Sequence, residues 1–241
     1  MTRTVRWTLV TSAIVFVIAI ALLVLLPRSD NSSTATATST TAVPGALGKQ
    51  VDARSNAPKI TTLTPFDAQG APTAGWTVDD KAGSSPIDCS YDEPSPSATT
   101  DNILVCAPTA AAADSCVTVP NSPAALCLID PFNNHLTRYS TTTVRTTIVH
   151  APQTPQPIAL TLDNGTKCRL RNGGSWSTPE ANPTYVGYYF CPGNGFQAIW
   201  APPTGPAITQ QPDGWTVQVG GERGPLTQHR VTEAFYVAIS R

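Results

Sequence analysis

The sequence predicts a mainly β domain, an antiparallel sandwich or small barrel with disulfides, preceded by one N-terminal transmembrane helix. Three observations lead to this prediction. The 23 prolines and 16 glycines of the chain divide it into short segments rich in Val, Ile, Thr and Tyr. The six cysteines all lie at position 89 or beyond, as expected for disulfides in an exported part. An uncharged apolar run at residues 7–26 precedes all of these features.

Short strands separated by turn residues are typical of an antiparallel all-β domain. The predicted strands are residues 103–106, 116–119, 126–129, 145–149, 158–162, 166–171, 185–191, 196–200 and 215–219. Helical patterns are scarce. They are limited to residues 108–114 and to the C-terminus, where Val231, Ala234, Phe235 and Ala238 would share one face of a helix. These two segments are the candidate helices of the domain.

The sequence pattern of residues 158–172 predicts a β-hairpin, and the register of its two strands depends on the length of the turn. A two-residue turn at Asn164 and Gly165 would place the leucines of the first strand on the same face as the cations of the second. A three-residue turn at 163–165, with Gly165 in the left-handed conformation, shifts the pairing by one residue. A one-residue slip exchanges the inner and outer faces of the hairpin. The three-residue turn is favoured because it buries the apolar side chains of both strands together and leaves the cations outside. The expected inward set is Leu160, Leu162, Cys168 and Leu170, and the expected outward set is Lys167, Arg169 and Arg171.

The cysteines are expected to form three disulfides. Their number is even, they follow the apolar run, and no C-x-x-C pair indicates zinc or redox chemistry. One pair lies at equal distances from a predicted turn at Asn121 and Ser122. A second joins the inward face of the hairpin to the next strand, and the third follows by elimination. The expected pairs are Cys89–Cys106, Cys116–Cys127 and Cys168–Cys191.

The predicted organisation has four parts: a cytoplasmic tag (residues 1–6), a transmembrane signal anchor (7–26), a disordered stalk rich in Ser, Thr, Ala and Pro (27–58) and an exported domain (59–241). The stalk holds too few large apolar side chains to offset the entropy of ordering. It is expected to hold the folded domain away from the bilayer.

The apolar run is long enough to cross the hydrocarbon core as a helix. Arg3 and Arg6 precede it and no acidic residue appears before Asp30, so the N-terminus is expected to stay in the cytoplasm. A cleaved signal peptide is the alternative, with its nearest plausible cleavage site at residues 35–37. The length of the run and the distance to that site favour an uncleaved, single-pass anchor in the cell membrane, with the C-terminal domain extracytoplasmic.

The charge balance argues against a nucleic-acid partner. Three of the 15 basic residues and none of the 16 acidic residues lie within the first 28 positions, so the exported part carries a net charge of −4. A nucleic-acid binder would show a basic excess instead.

Sequence motifs of catalysis are absent. The histidines His135, His150 and His229 lie in separate segments without metal-ligand spacing. No G-x-S-x-G, H-E-x-x-H, P-loop or dinucleotide-binding pattern occurs. The sequence therefore predicts no catalytic residue, no metal and no cofactor, although it leaves open a site assembled from distant residues.

One stretch stands out as a candidate ligand site, where the cationic strand ends. The glycine pair lets the backbone turn with its amide hydrogens exposed, and amides beside an arginine hold a carboxylate or a phosphate. The tryptophan that follows can stack on a sugar or a peptide. A tight turn whose tryptophan packs over the core edge is the alternative. The candidate ligand-binding residues are Lys167, Arg169, Arg171, Asn172, Gly173, Gly174 and Trp176.

Several motifs carry a resemblance to a known group. They are residues 106–110, Asp114, Cys116, residues 126–127, residues 130–131 and the N-G-x-x-C-x-x-R-N-G-G-x-W pattern at 164–176. In these motifs the chain resembles an uncharacterised family of actinobacterial membrane-anchored or secreted envelope proteins. The resemblance covers most of the exported domain. It implies an envelope location and supplies no catalytic residues.

Two functional classes follow from these observations. The first is a non-enzymatic cell-envelope binding or interaction module, with a cell-wall polymer or an envelope protein as its partner. The second is a secreted hydrolase whose site is assembled from residues distant in sequence. A pocket holding a histidine beside a carboxylate and a hydroxyl would favour the hydrolase. An aromatic-lined face near Trp176 would favour the binding module, which is the class that the sequence favours.

Overall fold

The computed structural model describes residues 56–80, 86–108, 113–142, 147–171, 177–193 and 195–241. The predicted tag and anchor, nearly all of the stalk, and the candidate residues Asn172, Gly173, Gly174 and Trp176 lie outside these ranges. Within the ranges, no helix is long and apolar enough to cross a membrane.

The described residues form strands and no helix, which confirms the mainly β prediction. The strands are β1 (Lys59–Phe66), β2 (Thr77–Asp80), β3 (Cys116–Thr118), β4 (Ala124–Asp130), β5 (His135–Ser140), β6 (Ala159–Leu162), β7 (Lys167–Leu170), β8 (Val186–Cys191), β9 (Gln197–Ala201), β10 (Thr209–Gln211), β11 (Gly214–Gly220) and β12 (Thr227–Ile239).

Six strands close into a barrel in the order β6-β7-β8-β9-β11-β12. The ring closes because β12 pairs with both β11 and β6. Outside the ring, β1 pairs with β12 and β10 pairs with β11. The remaining strands form an open sheet in the order β2-β5-β4-β3. The antiparallel prediction holds around the ring, but it is wrong for β1–β12 and β2–β5, which pair in parallel.

The predicted three-residue hairpin turn is confirmed between β6 and β7. The amide of Leu162 donates to the carbonyl of Thr166 at 2.9 Å, and Gly165 has a φ of 80°. Leu160 lies opposite Cys168, and both are fully buried in the barrel. The turn therefore sets which side chains of β7 point into the barrel.

Apolar side chains fill the barrel interior. They include Leu160, Leu162, Leu170, Tyr189, Ile199, Val217, Val231 and Ala234. The buried Tyr189 hydroxyl donates to the carbonyl of Pro157 at 2.9 Å, as a buried phenol requires. A second core forms where the outer face of β12 meets the open sheet, with Phe235 and Val237 packed near Leu126, Leu128 and Leu136.

The predicted C-terminal helix is wrong, because this segment is the long strand β12. A bulge lies between Val231 and Glu233, where the register against β6 shifts. The extra residue lets Val231 and Ala234, three positions apart, both face the barrel interior. Phe235 faces the second core instead. Because of the bulge, inward-facing residues of the strand are three positions apart, which resembles the spacing on one face of a helix.

Three other predicted elements need correction or lie outside the described residues. Residues 103–106 form no strand, although Leu104 makes isolated bridges to Pro94 and Cys116. Of the predicted strand 145–149, the described part, 147–149, is not a strand. Most of the candidate helix 108–114 lies outside the described ranges.

The disulfides join Cys89 to Cys106, Cys116 to Cys127, and Cys168 to Cys191, which is the predicted pairing. Cys116 and Cys127 are direct partners in the β3–β4 ladder. The Cys168–Cys191 bond lies inside the barrel core, whereas Cys116–Cys127 joins two strands of the open sheet and Cys89–Cys106 packs in the same apolar cluster. Disulfides of this kind are typical of proteins that fold in an oxidising compartment, outside the cytoplasm.

Candidate functional site

The three cations Lys167, Arg169 and Arg171 do not form one exposed stripe. Strand alternation directs Lys167 and Arg169 of β7 away from the barrel interior, as predicted, and Arg171 follows the end of the strand. Lys167 is exposed, but the Arg169 side chain is only 18% exposed and lies against the open sheet. The expectation that Arg169 lies in an exposed stripe is therefore wrong, because the barrel packs against a second sheet that the sequence pattern of β7 does not reveal.

Arg169 connects the barrel to the open sheet. Its Nη2 and Nη1 atoms donate to the two carboxylate oxygens of Asp114 at 2.6 and 3.2 Å. Its other donors reach the carbonyls of Ile129 at 2.9 Å, Leu170 at 2.7 Å and Leu128 at 3.1 Å. All five N–H donors of the guanidinium thus have acceptors. Burial raises the pKa of the fully buried Asp114, and Arg169 opposes that rise.

The charge of Lys167 is compensated locally. Its Nζ atom lies 5.0 Å from the centre of the Phe132 ring, in a cation–π contact. Hydrogen bonds from Lys59, at 2.8 Å, and from Thr61 lower the pKa of the nearby Glu233, and the charges of Lys59 and Lys167 add to that effect. Glu233 is therefore ionised beside Lys167, and this part of the surface carries both signs of charge.

An aromatic surface lies on the two strands that follow β7. Phe190 of β8 and Phe196 before β9 are each 37% exposed. The rings of Phe190 and Phe196 are 5.9 Å apart between centroids. We call these two residues the aromatic face. Arg171 lies next to it, since its amide donates to the carbonyl of Tyr188 at 3.0 Å.

Trp200 supports the aromatic face from below. Its ring centroid is 6.1 Å from that of Phe196, but the residue is only 1% exposed. Its indole N–H donates to the carbonyl of Gly220 at 2.9 Å, which fixes the ring against β11. Trp215 is half-buried against the barrel core. Neither Trp200 nor Trp215 is therefore part of the exposed aromatic surface.

Sequence reasoning missed the aromatic face, although a signal was present. Cys191 points into the barrel, so Tyr189 shares its side and Phe190 faces outward. The same parity argument that placed Cys168 inward would have identified Phe190. The position of Phe196 depends on the loop between β8 and β9 and could not be assigned by alternation.

A pocket of about 340 Å³ lies beside Trp200, between the 202–208 segment and the strands β10, β11 and β12. We call it the neutral pocket, because none of the described residues that line it is charged. Its polar side chains are those of Tyr185, Thr209, Thr216, Gln218 and Gln228.

Each histidine has an aspartate partner. The pairs are His135–Asp79 at 3.2 Å, His150–Asp101 at 3.0 Å and His229–Asp163 at 2.9 Å. Asp101 borders a pocket that also contains Thr100 and Ser240. The Thr100 hydroxyl accepts a hydrogen bond from the amide of Ile239, and within the described ranges no hydroxyl bonds to a histidine. This region thus has two components of a hydrolase triad without a bonded nucleophile.

No group of three or more potential metal ligands occurs among the described residues. Comparisons with protein-family models, curated proteins and solved structures give no match for this chain. The resemblance to actinobacterial envelope proteins therefore stays a prediction from motifs, and the function is inferred from geometry.

Proposed function

We propose that this protein is a non-enzymatic cell-envelope binding module, held at the membrane by its N-terminal helix, which contacts a wall polymer or an envelope protein through the aromatic face. The oxidising environment indicated by the three disulfides supports an extracytoplasmic position. The alternative, a secreted hydrolase, has its best support in the His150–Asp101 pair near Ser240.

The exposed phenylalanine pair carries this proposal. Phe190 and Phe196 leave more than a third of their surfaces in water, although large apolar side chains are stabilised by burial. Contiguous exposed apolar residues on a folded domain are typical of interaction sites. Aromatic side chains suit this role because they bring a large contact area with little loss of rotamer entropy.

The cationic residues have a smaller role than the sequence predicts. Arg169 is bound to Asp114, and Lys167 lies beside Glu233. Arg171 is adjacent to the aromatic face and leads directly into the candidate segment 172–176. We therefore propose apolar contact as the main source of affinity, with Arg171 and the segment that follows it at the edge of the contact surface.

Retention on isolated cell envelopes tests the proposal. A full-length Phe190→Ser/Phe196→Ser variant is expected to lose at least about tenfold in affinity, since two apolar anchors are removed. Tyr91→Ser is the matched control, because Tyr91 is 67% exposed and lies outside the aromatic face. Unchanged retention of the double variant, with normal folding, would contradict the proposal.

Salt dependence separates the two sources of affinity. Apolar contact predicts that retention changes little between low and physiological ionic strength. A contact dominated by Lys167 and Arg171 would weaken strongly instead, because exposed charges are screened over about 8 Å at physiological salt. A strong salt dependence would move the contact surface from the aromatic face to the cations.

A further inference from the structure

We propose that the neutral pocket binds an uncharged saccharide unit. This inference rests on the proposed binding function, and it assigns a ligand class to the surface next to the aromatic face. Trp200 connects the two, because it contacts Phe196 on one side and lines the pocket on the other.

Strand register places four hydrogen-bonding side chains on one face. Thr209 of β10 lies opposite Thr216 of β11, and Gln218 of β11 lies opposite Gln228 of β12. Thr216 and Gln218 are two positions apart in one strand, so their side chains point to the same side. Cross-strand partners also share a face. Two hydroxyls and two amides therefore meet outside the barrel.

These four side chains are available to a ligand. Within the described residues, none of the four makes a hydrogen bond through its side chain, whereas the neighbouring Thr232 hydroxyl bonds to the carbonyl of Thr161 at 3.0 Å. Hydroxyls and amides both donate and accept hydrogen bonds. Sugar hydroxyls have the same dual character, so the two sets of groups match without a requirement for charge.

The pocket also has apolar lining. Trp200 lies on β9, next to β11 in the same sheet, and Pro202 and Pro206 lie in the segment that follows β9. The segment that carries the prolines is held in place, because Tyr188 donates to the carbonyl of Pro202 at 3.1 Å and Ile208 is buried in the barrel core. Hydroxyls and amides combined with an indole ring and prolines suit a sugar ring, whose hydroxyls lie at its rim and whose C–H bonds form an apolar face.

The absence of charged side chains among the described lining residues disfavours ionic ligands. The cation Arg230 lies opposite Thr216 in the ladder but donates to the side chain of Asn56 at 2.9 Å. A charged ligand would lose its hydration without finding a counter-charge among the lining residues. A purely apolar ligand would leave the hydroxyls and amides unpaired. The volume of about 340 Å³ is near the lower end of small-ligand pockets, so it suits one or two sugar rings.

Calorimetric titration of the full-length protein tests this inference, in a detergent without a sugar head group. The neutral probes are cellobiose, maltose and diacetylchitobiose, and digalacturonic acid is the charged probe. At least one neutral disaccharide is expected to bind saturably, and the charged probe is expected to bind at least tenfold more weakly. Failure of all three neutral disaccharides to bind, or equal binding of the uronic acid, would overturn the inference.

Two variants test whether the neutral disaccharide binds in the neutral pocket. Gln218→Leu/Gln228→Leu keeps the side-chain size and removes both amides, so the affinity for the neutral disaccharide should fall at least tenfold. Gln210→Leu is the matched control: it is exposed, it follows Thr209 directly, and it therefore faces the other side of β10. Unchanged affinity in the folded double variant would overturn the assignment to this pocket.

The two proposals fail in distinguishable ways. If Phe190→Ser/Phe196→Ser loses envelope retention but no neutral sugar binds, the binding function stands and the saccharide inference is wrong. If a neutral disaccharide binds but the phenylalanine variant is retained normally, the pocket stands and the aromatic face is not the contact surface.

Discussion

The barrel and the open sheet are stabilised by different means. The barrel closes on itself, so its six strands form a continuous ring of ladders around an apolar interior that contains one disulfide. The open sheet ends in two short strands, β2 with four residues and β3 with three. One disulfide links β3 to β4, a second packs next to it, and Arg169 ties the sheet to the barrel. A small open sheet buries little surface alone, so covalent and ionic links add to the apolar clusters that it shares with its surroundings.

Breaking the Arg169–Asp114 ion pair, which links the barrel to the open sheet, should cause the largest decrease in the free energy of unfolding. Asp114→Ala leaves a mostly buried guanidinium without its carboxylate, which costs about 3–5 kcal/mol of the free energy of unfolding. The neighbouring Lys167→Ala is the matched control on the same face of β7, with an expected change within about 0.5 kcal/mol. Chemical denaturation measures both values.

A double variant separates the ion pair from packing. Asp114→Leu/Arg169→Met removes both charges together, so it should be more stable than Asp114→Ala. Equal stability of Asp114→Ala and the parent protein would show that the contact does not hold the two sheets together.

Removal of single disulfides should have the next largest effect, about 2–4 kcal/mol each. Cys116→Ala/Cys127→Ala should increase amide hydrogen exchange mainly in β3 and β4, because the open sheet lacks a closed ring. Cys168→Ala/Cys191→Ala should lower the stability of the whole domain, since this bond lies inside the barrel core. The same pattern of amide hydrogen exchange in both variants would contradict the claim that the barrel and the open sheet are stabilised differently.

A decrease in pH should cause the smallest change in the free energy of unfolding. The hydrogen bond with His229 lowers the pKa of Asp163, and the amide of Ala151 lowers the pKa of Asp101. A carboxyl group whose pKa is lower in the folded state stabilises that state above its unfolded pKa, about 3.9 for Asp. That contribution is lost as the pH falls through the folded value.

Denaturation curves at several pH values measure this loss. The free energy of unfolding should decrease below about pH 4, and the decrease should be smaller in Asp163→Asn. Both aspartates are at the surface, so the contribution of each is small. An unchanged pH profile in Asp163→Asn would contradict the role assigned to the pair with His229.

Local geometry explains what the sequence predicts correctly. The β6–β7 turn and the Cys116–Cys127 bond depend on residues close together in the chain, where burial parity and turn length leave few alternatives. The six-stranded closure, by contrast, requires β12 to reach β6 across a long sequence separation, and no local pattern specifies it.

Tertiary contacts explain the errors. Arg169 and Asp114 are 55 positions apart, so their pairing has no signal in the sequence around either residue. The bulge in β12 gave inward side chains a helical spacing. Strand β2 contains two aspartates among its four residues and is extended because β5 supplies its ladder. In each case tertiary pairing overrides local preference.

Site-specific photo-crosslinking in cells that express the full-length protein tests the central claim most directly. The photoreactive residue p-benzoylphenylalanine replaces Phe190 in the aromatic face, or Tyr91 as a more exposed aromatic outside it. The account predicts a crosslinked adduct with an envelope component from position 190 and little or none from position 91. Equal adducts from the two positions, or none from position 190, would contradict binding through the aromatic face.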